Sequence, residues 1–227
     1  MCLILVAWRV REDYPLVVAA NRDEFHARPA APAAFWPDEP GVLAGRDLEA
    51  GGTWMGVSRA GAFAAVTNYA GGRRPDAAES RGALVSRFLR GTEPAADYVS
   101  RMAPGKDSYS GFNLLLARHG ELWWLSNRDG DARRLDSGIY ALGNLLLDSP
   151  DVAGHRARFG EAIATGPAME PMFGVLAAAR IVAPDYGTRC ATLLLERNDA
   201  WLQYAERAFG ADGTEGETVR YELRRDA

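Results

Sequence analysis

MCLILVAWRVREDYPLVVAANRDEF, residues 1–25, opens the chain, and its reading decides the rest. Residues 3–10 and 16–20 are apolar runs rich in strand formers, parted by a polar turn at residues 11–14. Two such runs around a short polar turn read as a β-hairpin. The hairpin leads into Asn21, Arg22, Asp23, Glu24 and Phe25, a burst of polar groups at a strand end. Cys2 directly follows the initiator methionine, at the mouth of the first strand.

Beyond this hairpin, residues 28–40 carry several prolines and read as a loop. Gly51 and Gly52 punctuate the chain, and strands are expected at 53–58 and 62–69 around a tight turn at 59–61. Residues 79–89 have helical spacing, with Leu84, Val85, Phe88 and Leu89 on one face, and 95–102 form a second short helix. Strand signals return at 112–117, 121–126 and 139–142. Helices are expected at 151–164 and 172–182, and strands at 188–196, 201–206 and 218–223. Strands that follow one another across short turns make antiparallel sheets, so the class is α+β and not a doubly wound parallel fold.

The chain has 227 residues, enough for one domain, expected here as a single unit over 1–227. Hydrophobic residues at 48% and charged residues at 25% exclude a disordered tail, a collagen-like rod and a coiled coil. The net charge of −4 offers nothing to a phosphate backbone, so no nucleic-acid partner is expected. No apolar run approaches the roughly 18 residues of a spanning helix. The N-terminus lacks a basic region and cleavage site, so the expected location is cytoplasmic. Two cysteines, Cys2 and Cys190, make no disulfide framework. Phosphate-loop, dinucleotide, H-E-x-x-H, C-x-x-C and G-x-S-x-G patterns are missing, and His26, His119 and His155 have no ligand spacing. Neither a metal nor an organic cofactor is expected.

Cys2 carries the functional argument. Its small side chain suits the aminopeptidase that removes Met1, which would leave thiol and α-amine on one residue. An α-amine ordinarily titrates near about 7.7–8.0 and a thiol near about 8.5, so the two can exchange a proton at neutral pH. One residue then supplies nucleophile and base. Taken alone, a cysteine at position 2 is more often a small buried hydrophobe. Four features favour chemistry. Arg22 and Asp23, returned beside the N-terminus by the hairpin, are expected to lower the thiol pKa and to hold the α-ammonium. Asn68 and Asn144 each end a strand, where an amide can donate to an oxyanion, though asparagine is also common in turns there. Arg189 leads an apolar strand and needs a partner or a task. Strand alternation puts Cys190 on the face opposite Arg189, in the core.

Met1-Cys2-Leu3-Ile4, Asn21-Arg22-Asp23-Glu24-Phe25 with Arg28-Pro29, Gly51-Gly52-Thr53-Trp54-Met55-Gly56-Val57, Thr67-Asn68-Tyr69, Gly143-Asn144 with Leu147-Asp148, and Tyr186-Gly187-Thr188-Arg189 follow one another in order. Together they resemble the NRDE family, also called the transport and Golgi organisation 2 family. More weakly, the chain resembles cysteine-type N-terminal-nucleophile hydrolases such as bile salt hydrolase and penicillin V acylase. That resemblance implies a four-layer αββα sandwich and a catalytic set of Cys2, Arg22, Asp23, Asn68, Asn144 and Arg189. Those enzymes separate the arginine and aspartate by a couple of residues, whereas Arg22 and Asp23 adjoin, so Asn21 or Glu24 is an alternative for one of the two roles. The implied activity is hydrolysis of a linear amide through a thioester, with an N-acyl amide as substrate. The family resemblance also implies a rival: a non-catalytic protein that binds or moves haem or an acyl lipid, with a role in Golgi organisation and secretion in eukaryotic relatives. Neither resemblance implies an oligomeric state.

Overall fold

Residues 3–25 fold as the expected antiparallel hairpin, β1 (Leu3–Trp8) against β2 (Leu16–Phe25), in a computed structural model that describes residues 1–74, 76, 77 and 79–225. Every residue of β1 is buried, which is why it reads as an unbroken apolar run and not as an alternating one. Leu3 pairs with Asn21, so the register carries Met1 and Cys2 alongside Asp23 and Arg22.

The chain divides into two units. The first comprises Met1–Arg28, Ser137–Gly143 and Leu147–Arg224. It holds a six-stranded sheet in which β1 and β2 are joined by β10 (Gly138–Leu142), β11 (Tyr186–Glu196), β12 (Trp201–Phe209) and β13 (Glu215–Arg224), ordered β10-β1-β2-β11-β12-β13. Helices α3 (Ala153–Thr165) and α4 (Met169–Ala177) pack on it. Leu3, Leu5, Val17, Ala19, Leu193 and Leu195 meet Phe159, Ile163, Met172 and Leu176 in one core. Apart from Ala19, each of these side chains is worth about 1.5–3 kcal/mol on burial.

The second unit comprises Pro29–Asp136 and Asn144–Leu146 with Arg225. Its seven-stranded sheet runs in chain order through β3 (Ala30–Trp36), β4 (Glu39–Asp47), β5 (Met55–Ser58), β6 (Phe63–Asn68), β7 (Phe112–Arg118), β8 (Glu121–Ser126) and β9 (Arg133–Leu135). Helices α1 (Gly82–Arg90) and α2 (Ala95–Met102) bring Leu84, Val85, Phe88, Tyr98 and Val99 onto Ala64, Val66, Leu114 and Leu116. A Cβ on Gly52 would lie 2.7 Å from the backbone of Gly82, so the glycine pair ahead of β5 is demanded by the close passage of α1.

All strand pairs in both sheets are antiparallel, and the class is α+β, as expected. Three expectations need correction. The proline-rich stretch is not a loop but β3 and the opening of β4. Its prolines are tolerated because β3 is an edge strand, and Pro32 falls where the register between Ala31 and Ala34 is irregular. Helix α4 starts at Met169 and ends at Ala177, earlier than residues 172–182. Pro171 lies in the first turn, where its missing N–H has no partner to lose. The three-residue β9 was not expected, being too short to show a period.

Candidate functional site

The β1–β2 register builds the site in the first unit. Cys2 Sγ donates to the Asp23 carbonyl at 3.3 Å and accepts from the Asp23 N–H at 3.4 Å. The Met1 α-ammonium stands 2.9 Å from Asp23 Oδ2, and the Asp23 side chain is wholly buried. This contact is an ion pair without the alignment of a hydrogen bond. The thiol, the chain terminus and one carboxylate therefore form a single cluster.

Electrostatics oppose the expected activation of the thiol. Burial, and second the Asp23 charge, push the Cys2 thiol up to about 11. The Asp23 N–H, the α-ammonium and Arg22 pull it down by less. The lowered pKa expected from Arg22 alone is thus corrected: with Met1 present, Cys2 is a neutral thiol at pH 7. Arg22 is nearly buried, pairs with Cys190 across the strands, and its guanidinium lies 4.0 Å from Glu24.

Asn21 and Glu24, the alternatives beside Arg22 and Asp23, point to other work. Asn21 Nδ2 donates to the Leu176 carbonyl of α4 at 3.0 Å, and Glu24 Oε1 accepts the Phe25 N–H. Arg189 sits where the β2–β11 register shifts between Thr188 and Cys190. Its Nη1 donates to the carbonyls of Phe25, His26 and Arg28 at 3.0, 3.1 and 3.2 Å. The partner that its position demanded is therefore the backbone just after Asp23. Cys190 is buried, as expected, and burial pushes its thiol up. The alternation argument for it does not apply, because an extra residue in one strand suspends alternation locally.

Asn68 and Asn144 belong to the second unit and meet each other there. Asn144 Nδ2 donates to the Asn68 carbonyl at 2.7 Å, and the Asn144 carbonyl accepts from Ala70 at 2.8 Å. Asn113, buried on β7, donates to the Leu145 carbonyl at 2.8 Å and so holds the same turn.

Two site residues escaped the reading of the sequence. Thr188 Oγ1 donates to Asp23 Oδ1 at 2.6 Å, and the Tyr186 hydroxyl donates to the Asp23 carbonyl at 3.2 Å. Both stand in the run quoted above for its likeness, Tyr186-Gly187-Thr188-Arg189, of which only Arg189 was singled out. Among the described residues no cluster of histidine, cysteine and carboxylate side chains could hold a metal ion, and no helix is long and apolar enough to cross a membrane.

Comparison with solved structures finds the same fold twice. A Caenorhabditis elegans N-acylethanolamine-hydrolyzing acid amidase ortholog aligns with a TM-score of 0.53 at 12% identity, covering 86% of this chain and 92% of that one. A mutant of the conjugated bile acid hydrolase from Clostridium perfringens aligns with a TM-score of 0.54 at 9% identity, covering 99% and 98%. At such identities the likeness shows the fold alone, an antiparallel α+β sandwich. Sequence relatives are nearer. The Transport and Golgi organization protein 2 homolog of Bos taurus is 33% identical over 99% of both chains. The human homolog is 30% identical over 98% of this chain and 99% of its own. Residues 1–181 match the family described as Transport and Golgi organisation 2. On this match and these relatives, the chain belongs to the Transport and Golgi organisation 2 family.

Proposed function

We propose that the chain, acting as one domain over residues 1–227 in the cytoplasm, is an N-terminal-cysteine amidohydrolase that cleaves a linear amide through a thioester. The observation that carries this reading is that one residue, Asp23, meets the α-ammonium with its carboxylate at 2.9 Å and the Cys2 thiol with its main chain at 3.3 and 3.4 Å. Support comes also from the fold, shared with two proteins whose names specify hydrolysis.

Removal of Met1 shifts the chain's amine onto residue 2, whose thiol already touches Asp23. The neutral α-amine accepts the thiol proton, Asp23 holds the ammonium so formed, and the thiolate attacks the amide carbonyl. Arg22 stabilises the thiolate as it forms. The exposed Asn68 amide and Asn144 are assigned to the oxyanion. The leaving amine takes the proton, and water cleaves the thioester. Arg189 acts at one remove, by fixing the backbone that follows Asp23. No metal or organic cofactor enters any of these steps.

Intact mass and turnover together test this. The active protein is expected to lack Met1 and to hydrolyse model N-acyl amino acids, and Cys2→Ala is expected to cost about 10³-fold or more in kcat. Retention of Met1 in active protein, or turnover indifferent to Cys2→Ala, overturns the reading. A second reading is a non-catalytic binder of haem or an acyl lipid; the raised thiol pKa means only that the chain with Met1 in place carries no activated thiolate. Saturable change in haem absorbance at micromolar protein supports it; no change counts against it.

A further inference from the structure

We propose that Thr188 is a positioning residue that assigns the two oxygens of Asp23, holding Oδ1 so that Oδ2 faces the chain's α-ammonium. The inference rests on the reading of Asp23 as the holder of that amine.

The geometry is closed on every side. Thr188 lies directly across from Asp23 in the β2–β11 pairing, and both are almost fully buried. Thr188 Oγ1 accepts the Ile181 N–H at 2.9 Å, and the Thr188 N–H donates to the Ile181 carbonyl at 2.9 Å. With that approach to the oxygen taken by a donor, the single hydroxyl proton is directed at Asp23 Oδ1, at 2.6 Å. A carboxylate only accepts, so the direction of this bond is fixed. Tyr186 meanwhile fixes the main-chain carbonyl of the same residue. Oδ2 has no aligned hydrogen-bond partner, and its charged neighbour is the α-ammonium 2.9 Å away. Without the hydroxyl, the carboxylate is free to turn about its side-chain torsions and the amine loses its fixed acceptor. The register shift at Arg189 lies immediately after Thr188, which places this grip at the strand's irregular point.

Amine acetylation tests this without any need for turnover. The chain has one lysine, Lys106, so in protein that retains Met1, acetylation with N-hydroxysuccinimide acetate reads two amines, the Met1 terminus and an internal control. Thioesters are removed with hydroxylamine before peptide mapping. Thr188→Val is expected to speed acetylation of the terminus roughly tenfold, towards the rate of Asp23→Asn, with the Lys106 rate unchanged. Thr188→Ser, which keeps the hydroxyl, is expected to stay near wild type. Thr188→Ala gives the same reading should the valine variant fold poorly. A wild-type terminal rate in folded Thr188→Val and Thr188→Ala overturns the proposal, as does a Thr188→Ser protein that behaves like valine. Absence of amide hydrolysis in the wild type defeats the proposed function and leaves this result standing by itself.

Discussion

Asp23 meets four groups at once: a thiol, two hydroxyls and the end of the chain. The consequence for Cys2 has a sign that can be measured. Its thiol is neutral in the folded chain up to about pH 11, against an ordinary value of 9.0. The folded state therefore keeps a proton that the unfolded state gives up between those limits. Stability from the neutral thiol is complete below about pH 9 and is lost as pH rises through 11, by about 2–3 kcal/mol. Melting temperature measured from pH 8 to 11 is expected to fall less steeply in Cys2→Ser than in wild type; equal slopes would contradict the burial of an un-ionised thiol. Alkylation of Cys2 by iodoacetamide, in protein that retains Met1, is expected to be still accelerating at pH 10, and a plateau by pH 9 would argue for an activated thiolate.

Strands and helices carry the next set of consequences. Asn21 ties β2 to the Leu176 carbonyl of α4 from a fully buried position. Asn21→Leu is expected to destabilise the protein by about 1–3 kcal/mol, because it leaves that carbonyl without its donor. Urea unfolding checks it, and a loss under about 0.5 kcal/mol would mean that the bond does not hold the helix. Gly52→Ala forces a methyl to 2.7 Å from the Gly82 backbone and is expected to cost about 1–3 kcal/mol by the same measurement. The hairpin of β1 and β2 was legible because both runs are apolar and the turn between them is polar. So were α1 and α2, whose helical spacing is long enough to read, and β7, a largely apolar run. The edge strand β3 was hidden by prolines that an edge position permits, and the start of α4 by a proline that a first turn permits. Arg22, Asp23 and Cys2 could be placed together from the hairpin alone. Thr188 and Tyr186 could not, since their roles depend on a register between strands far apart in sequence and on an irregularity that no alternation pattern announces.

At the scale of the molecule, each sheet has buried centres and open margins. In the first unit β1, β2 and β11 are interior and almost wholly buried, while β13 is an edge strand with most residues exposed or half-exposed. In the second, β3 is the corresponding margin. Hydrogen exchange is expected to leave the β1, β2 and β11 amides until last and to release β13 and β3 early. Early exchange in β1 would mean that the N-terminal strand frays, and with it the placement of Cys2. The family relationship spans both units, since relatives align over nearly the whole chain.

Thr188 is synthesised 165 residues after the aspartate it grips. At roughly 5–20 residues per second, translation takes about ten to thirty seconds to cover that distance. Until Thr188 arrives, the Asp23 carboxylate has no hydroxyl to fix it. If Met1 is removed, as the proposed function requires, trimming and folding run against a common clock that the late arrival of one threonine stops.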